Sequence, residues 1–269
     1  MKNVTCLIAV ILVMAASQSF GYVEFKDGGT HNINYTINDT VEVDSQSPGM
    51  QTTVNLIADG LITYPARVHG YYDSRINISG GTMGAYLFAY DRCQVTISSG
   101  AVSNYLSADN NSKVTMTGGV VNIFYAHDCS QINWSGGSVK ALFAYHSSQV
   151  SMTGGTTASL SASNDSRVII SGGTLSNHLL VDDRGKVIIS GSNFAIDGTP
   201  VGFTEIKSIL GGYHAKDRIR TLTGTLANGD IINTQFQIGN TASIVLIPEP
   251  CTLLLLGLGG FCIRRRFKV

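Results

Sequence analysis

Apolar and polar positions alternate with a period of two in short bursts along this chain, and the bursts recur at a nearly fixed distance. The clearest form is Ser-x-Val-x-Ile-Ser-Gly-Gly, as in Ser112-Lys113-Val114-Thr115-Met116-Thr117-Gly118-Gly119 and Ser166-Arg167-Val168-Ile169-Ile170-Ser171-Gly172-Gly173. The lead apolar residues Ile76, Val95, Val114, Ile132, Val150, Val168 and Val187 are separated by 19, 19, 18, 18, 18 and 19 residues. Alternation at period two predicts strands with one face inward, and Gly-Gly predicts a corner, since glycine enters positive φ without steric penalty. A second apolar point follows at Met83, Val102, Val121, Val139 and Leu175. A third strand reads Leu87/Ala89, Leu106/Ala108, Phe124/Ala126, Leu142/Ala144 and Leu160/Ala162, and a polar turn closes the unit.

Three strands and three turns in 18–19 residues describe one coil of a single-stranded parallel β-helix. Such a coil buries its inward residues only by stacking on its neighbours. A leucine-rich repeat would need a Leu-x-x-Leu-x-Leu signature and an Asn ladder, which this chain lacks, and a propeller would need a period near 40. The expected fold is therefore all-β, a parallel β-helix solenoid with a small C-terminal β cap.

The pattern divides the chain into segments. Residues 74–194 are the regular repeats, and residues 22–73 are degenerate first coils with an N-terminal cap that covers the open edge. Residues 195–247 form the C-terminal cap, with a hairpin around Asn228-Gly229, further strands at Phe236–Ile238 and Ser243–Ile247, and a helical turn at Ile206–Leu210. Residues 1–21 read as a signal peptide: Lys2, an apolar stretch from Cys6 to Ala16, and small residues Ser19 and Gly21 before Tyr22. That apolar stretch is too short for a membrane span.

Residues 248–269 open on Pro248-Glu249-Pro250-Cys251-Thr252, continue as an apolar block from Leu253 to Ile263, and end with Arg264-Arg265-Arg266. This layout closely resembles the PEP-CTERM sorting signal, carried by Pro248, Glu249, Pro250, Thr252, Arg264, Arg265 and Arg266; Cys251 stands where that family more often has Ser or Ala. The resemblance covers the tail alone. It implies export, transient inner-membrane association, processing by an exosortase-type partner, and residence at the cell surface or in an extracellular polysaccharide or biofilm matrix. It also implies the right-handed form of β-helix, because period alone does not set the hand.

Charge adds a constraint once the signals are set aside. The whole chain is formally neutral, yet residues 22–250 hold 13 Lys and Arg against 18 Asp and Glu, a net of −5. A mildly acidic rod is poorly suited to nucleic acid, whose phosphates require a basic face. Cys93 and Cys129 remain outside the signals and fall two coils apart, beyond disulfide reach, so both are expected free and packed in turns.

Stacking converts repeats into columns, and three of these bear on chemistry. Arg75, Gln94, Lys113, Gln131, Gln149, Arg167 and Lys186 form an outward polar ladder that keeps the rod soluble or, more sharply, tracks an acidic polysaccharide. Asp91, Asp109, Asp128, Asp165, Asp182 and Asp183 are read as one acidic turn column, whose repulsion Ca²⁺ would relieve; Asn110, His146 and Asn164 interrupt it, and no cofactor is expected. The outward face of the third strand carries Tyr86, Phe88, Tyr90, Tyr105, Tyr125, Phe143 and Tyr145. An aromatic surface of this size marks a contact face, suited to sugar rings, although cross-strand aromatic pairs also stabilise sheets.

Catalysis gathers less support. Many β-helices are polysaccharide lyases or glycoside hydrolases, yet the repeat block contains no Glu, and hydrolysis needs two carboxylates at defined separation. A lyase would want a Ca²⁺ cluster and a Lys or Arg base, and Asp182-Asp183-Arg184-Lys186 comes nearest to that. The expectation is an exported, non-catalytic scaffold or adhesin-like protein with an extracellular polysaccharide as candidate partner. The alternative is a polysaccharide-degrading enzyme.

Overall fold

The computed structural model describes residues 21–207, 219–239 and 241–249. They form an all-β chain without a helix, in which parallel coils about 19 residues apart stack into a solenoid of about nine turns. The lead positions lie in register on successive layers, with Ile76 paired to Val95, Val95 to Val114, Val114 to Ile132, and so through Val150 and Val168 to Val187. Their side chains and those two residues on (Ile78, Ile97, Met116, Trp134, Met152, Ile170 and Ile189) are buried in one continuous core. The third strand contributes Leu87, Leu106, Phe124, Leu142 and Leu160, each followed two residues on by a buried Ala, and Leu179, followed by Val181.

Two kinds of corner make the coil close. At the Gly-Gly corner the second glycine is left-handed in each regular coil, from Gly81 (φ 65°) to Gly173 (φ 97°). A Cβ on Gly137 would also lie 2.6 Å from the Gly118 carbonyl below, so glycine is needed for the layer spacing as well as for φ. At the opposite corner a four-residue turn is closed by a bond such as Cys93 N–H to Tyr90 O, 2.9 Å. Its second residue is left-handed: Asp91, Asn110, Asp128, His146, Asn164 or Asp183. Short polar side chains are the non-glycine residues that tolerate this region best.

The irregular flanks belong to the same stack. Thr30 pairs with Thr53 and Thr53 with Arg75, so the first coils are genuine layers with inserted turns. The longest insert follows Asp44, whose buried carboxylate accepts bonds from Thr52 N (3.0 Å) and Thr52 Oγ1 (2.6 Å). Among the described residues no separate N-terminal cap covers the first coil: Tyr22–Phe25, Thr30–Ile33 and Thr36–Ile37 pair only with the layer above.

The C-terminal segment is less of a separate cap than its pattern suggests. The expected hairpin forms between Arg220–Leu226 and Ile231–Ile238 around Asn228-Gly229, and its first strand runs antiparallel to Lys186–Ile196. Its second strand then rejoins the solenoid, with Leu179 paired to Phe236, and Ser243–Ile247 adds a parallel layer on Lys186–Ser190. Glu205–Lys207 is a strand paired antiparallel to Ser243–Val245, which corrects the helical turn expected to begin at Ile206. The local apolar spacing there is the same for one helical turn and a short strand, and the waiting sheet edge decides it. Residues 208–210 lie outside the described residues.

Candidate functional site

The third-strand face gathers the aromatic residues into a strip, built from three outward columns. One runs Arg67, Tyr86, Tyr105, Ile123; the next His69, Phe88, Ser107, Tyr125, Phe143, Ser161. The third occupies the start of the turn, where Tyr71, Tyr90, Asp109, His127, Tyr145 and Ser163 donate their backbone N–H to the layer below. Strand alternation sends Leu87 and Ala89 inward and therefore Tyr86, Phe88 and Tyr90 outward. Tyr86, Phe88, Tyr90, Tyr105, Tyr125, Phe143 and Tyr145 are all half-buried, because each ring shields its neighbours.

The rings form two clusters. In the first, Tyr71 stacks on Tyr90 (5.2 Å, 25°), Phe88 on Tyr90 (5.9 Å, 8°), and His69 meets Phe88 edge-on at 5.1 Å. In the second, Tyr125 stacks on Phe143 (5.3 Å, 21°) and His127 on Tyr145 (5.2 Å, 14°). Tyr105 joins them, near-perpendicular to Phe88 (5.4 Å, 87°) and to Tyr125 (5.6 Å, 82°). His69, Tyr71 and His127 extend the strip beyond the seven residues read from the sequence. The signal was available: His69 and Tyr71 precede Phe88 and Tyr90 by 19 residues, and Val68 and Gly70 stand where later coils have Leu and Ala. Five layers at about 4.8 Å give the strip a length of roughly 19 Å.

Burial governs the titration of this face. It pushes the Tyr90 hydroxyl up to about 12, helped by the nearby Asp109 carboxylate. It holds His69 below the ordinary imidazole value despite the opposing pull of Glu42. Asp109 is pushed above the usual carboxylate value by burial, partly offset by the Ser107 hydroxyl, which donates to Asp109 Oδ2 at 2.8 Å. A folded pKa raised above the unfolded one means that the folded state holds the proton more tightly. Asp109 therefore supports folding below the ordinary carboxylate value of 3.8 and opposes it as pH rises through the folded value. Asp109→Asn is expected to raise the unfolding midpoint at pH 7, and the gain should vanish near pH 3; a midpoint that falls at pH 7 would contradict this.

The acidic turn column does not exist as one row, which corrects the expectation. Asp109 and Asp182 share the column of Tyr90, while Asp91, Asp128 and Asp183 occupy the left-handed position one residue on. Asp165 lies one further, where Arg184 of the next layer forks onto it at 2.6 and 2.7 Å. One residue of offset in a tight turn points side chains in different directions, so spacing alone merged three columns. No group of three or more His, Cys, Asp or Glu is gathered for a metal among the described residues. Arg184, from the constellation a lyase would use, is occupied by Asp165.

The polar ladder from Arg75 to Lys186 is in register as expected and faces outward. Both cysteines are free: Cys93 is buried, which pushes its thiol up to about 12, whereas Cys129 is exposed at its turn, contrary to the expected packing. Pro248 and Glu249 accept bonds from Ser190 Oγ and Ser192 Oγ, at 3.3 and 3.4 Å. Pro250, Thr252, Arg264, Arg265 and Arg266 lie outside the described residues, as do residues 1–20 of the expected signal peptide.

The fold thus places the chain among parallel β-solenoids with an aromatic ladder on one face. No family model, curated protein or solved structure matches it.

Proposed function

We propose that this chain is an exported, non-catalytic β-solenoid scaffold, adhesin-like, which holds extracellular polysaccharide on its aromatic strip. In this reading it works at the cell surface or in the surrounding matrix. The PEP-CTERM-like tail delivers it there through transient inner-membrane association and an exosortase-type partner. The observation that carries the binding role is the run of half-exposed rings over five adjacent layers, from His69 and Tyr71 to Phe143 and Tyr145. Their pitch of about 4.8 Å repeats along the axis, so an extended polymer lying along the rod meets a ring at almost every layer. Aromatic faces offer contact area at small cost in side-chain freedom.

The test is retention of the exported protein on immobilised polysaccharides, with Phe88→Ser and Phe143→Ser combined. Both side chains point away from the core, so the strand signal in circular dichroism is expected to persist. Affinity should fall at least about tenfold, as for anchoring aromatics at other interfaces. Unchanged retention would remove the strip from the binding role.

A further inference from the structure

The carboxylates and the cations of the regular coils stand on different sides of the rod. Between Arg75 and Ser190 the carboxylates are Asp91, Asp109, Asp128, Asp165, Asp182 and Asp183, and all belong to the turn after the third strand. The strands that come next, from Arg75–Met83 to Lys186–Ile196, carry none. Their outward face carries Arg75, Lys113, Arg167 and Lys186 instead, stacked in one column with Gln94, Gln131 and Gln149. Lys186 lies near Glu205 of the C-terminal segment. Asp165, two residues before Arg167, is bound by Arg184. Arg75, Lys113 and Arg167 are therefore left without an ion pair among the described residues.

Beside Arg167 this face is hollowed. The column two residues on reads Asn133, Ser151 and Ile169 over three layers. Ser151 is the short member, and a shallow cleft of about 110 Å³ opens over it, lined by Gln131, Asn133, Gln149, Ser151, Arg167 and Ile169. None of the five polar side chains makes a hydrogen bond among the described residues. The cleft thus offers a guanidinium, three amides and a hydroxyl, with Ile169 as an apolar wall.

We propose that this cleft binds the anionic group of an acidic polysaccharide, with Arg167 as its counter-charge and Lys113 as a second contact along the same polymer. A guanidinium presents parallel N–H groups that match the oxygens of a carboxylate or sulfate. The amides add donors without adding charge. Lys113 and Arg167 are three layers apart, roughly 14 Å, which exceeds the Debye length of about 8 Å at physiological ionic strength. Cations so spaced, with neutral amides between them, suit a polymer with intermittent charges better than a dense phosphate array. The face lies across the Tyr90–Cys93 turn from the aromatic strip, so the site goes beyond the reading above and does not depend on it.

The experiment measures retention of the full exported protein on alginate, dextran sulfate, neutral dextran, phosphatidylglycerol vesicles and duplex DNA. Wild type is expected to bind alginate or dextran sulfate, the preferred one naming carboxylate or sulfate as the group. That binding should be lost in about 1 M NaCl, where the Debye length falls to about 3 Å. Arg167→Gln should weaken it about tenfold, and Gln149→Glu, which sets a carboxylate in the cleft, should abolish it. Both side chains are exposed, so the strand signal in circular dichroism is expected to persist. Lys140→Gln removes the same charge from an exposed position outside the column and should change nothing. If Lys140→Gln weakens retention as much as Arg167→Gln does, overall charge is responsible and the cleft is excluded. Wild-type behaviour of Arg167→Gln and Gln149→Glu excludes it too. Tighter binding to vesicles or DNA overturns the polysaccharide assignment. Retention on neutral dextran with none on either acidic polymer removes this site and leaves the aromatic strip standing.

Discussion

Trp134→Ala is expected to cost the solenoid about 3–5 kcal/mol, the range for emptying a large aromatic site in a core. Trp134 is the largest side chain that the core encloses, 1% exposed, in a column where its neighbours are Met116 and Met152. Its indole N–H donates to Gly136 O at 2.9 Å, so the ring is both packed and satisfied. The next layer makes room for it: a Cβ on Gly155 would lie 2.4 Å from Trp134 Nε1. Gly155→Ala is therefore expected to destabilise by a similar amount, through that clash and through its φ of 83°.

The two effects should not add. In a Trp134→Ala background the indole clash is gone, and Gly155→Ala retains the left-handed backbone cost, about 1–2 kcal/mol, together with a 3.0 Å approach of its Cβ to Gly137 O. Urea unfolding of the four proteins measures this coupling. Additive losses would mean that Trp134 and Gly155 are not in contact, and the layer register through this region would be wrong.

A second result is expected with the opposite sign. Replacing Ser112, Ser130 and Ser148 together with Ala should raise stability, although all three serines are fully buried. They stack in one inward column at the turn corner, linked layer to layer through Gln131 N–H to Ser112 O and Gln149 N–H to Ser130 O. Among the described residues their hydroxyls find no hydrogen-bond partner. A buried polar group without a partner costs about 1–3 kcal/mol, and alanine removes it while keeping the volume nearly unchanged. Cys93 and Gly185 occupy the same column, so a hydroxyl is not required there.

Thr52 supplies the control. It stands in that column too, but its hydroxyl donates to the buried Asp44 carboxylate and accepts from Gly28 N at 2.9 Å. Thr52→Ala should therefore destabilise, since it leaves a buried carboxylate short of a donor. Thermal unfolding that shows the serine triple variant below wild type would mean that the hydroxyls are held by partners of their own.

The columns were legible because the repeat length hardly varies. Once Val114 and Ile132 are 18 apart and stacked, every residue at that offset on a strand is placed. The turns escaped this arithmetic. Between Tyr90 and Cys93 the backbone enters the left-handed region at Asp91, so neighbouring residues point apart and the acidic residues separate into three rows.

By itself the sequence determined the coil, because period-two burial, Gly-Gly corners and an 18–19-residue recurrence leave only one way to bury the apolar positions. Tertiary structure alone decided how the ends finish. Phe236–Ile238 and Ser243–Ile247 carry no repeat phrase, and they become layers because the last regular coils present a strand edge with which their backbone pairs.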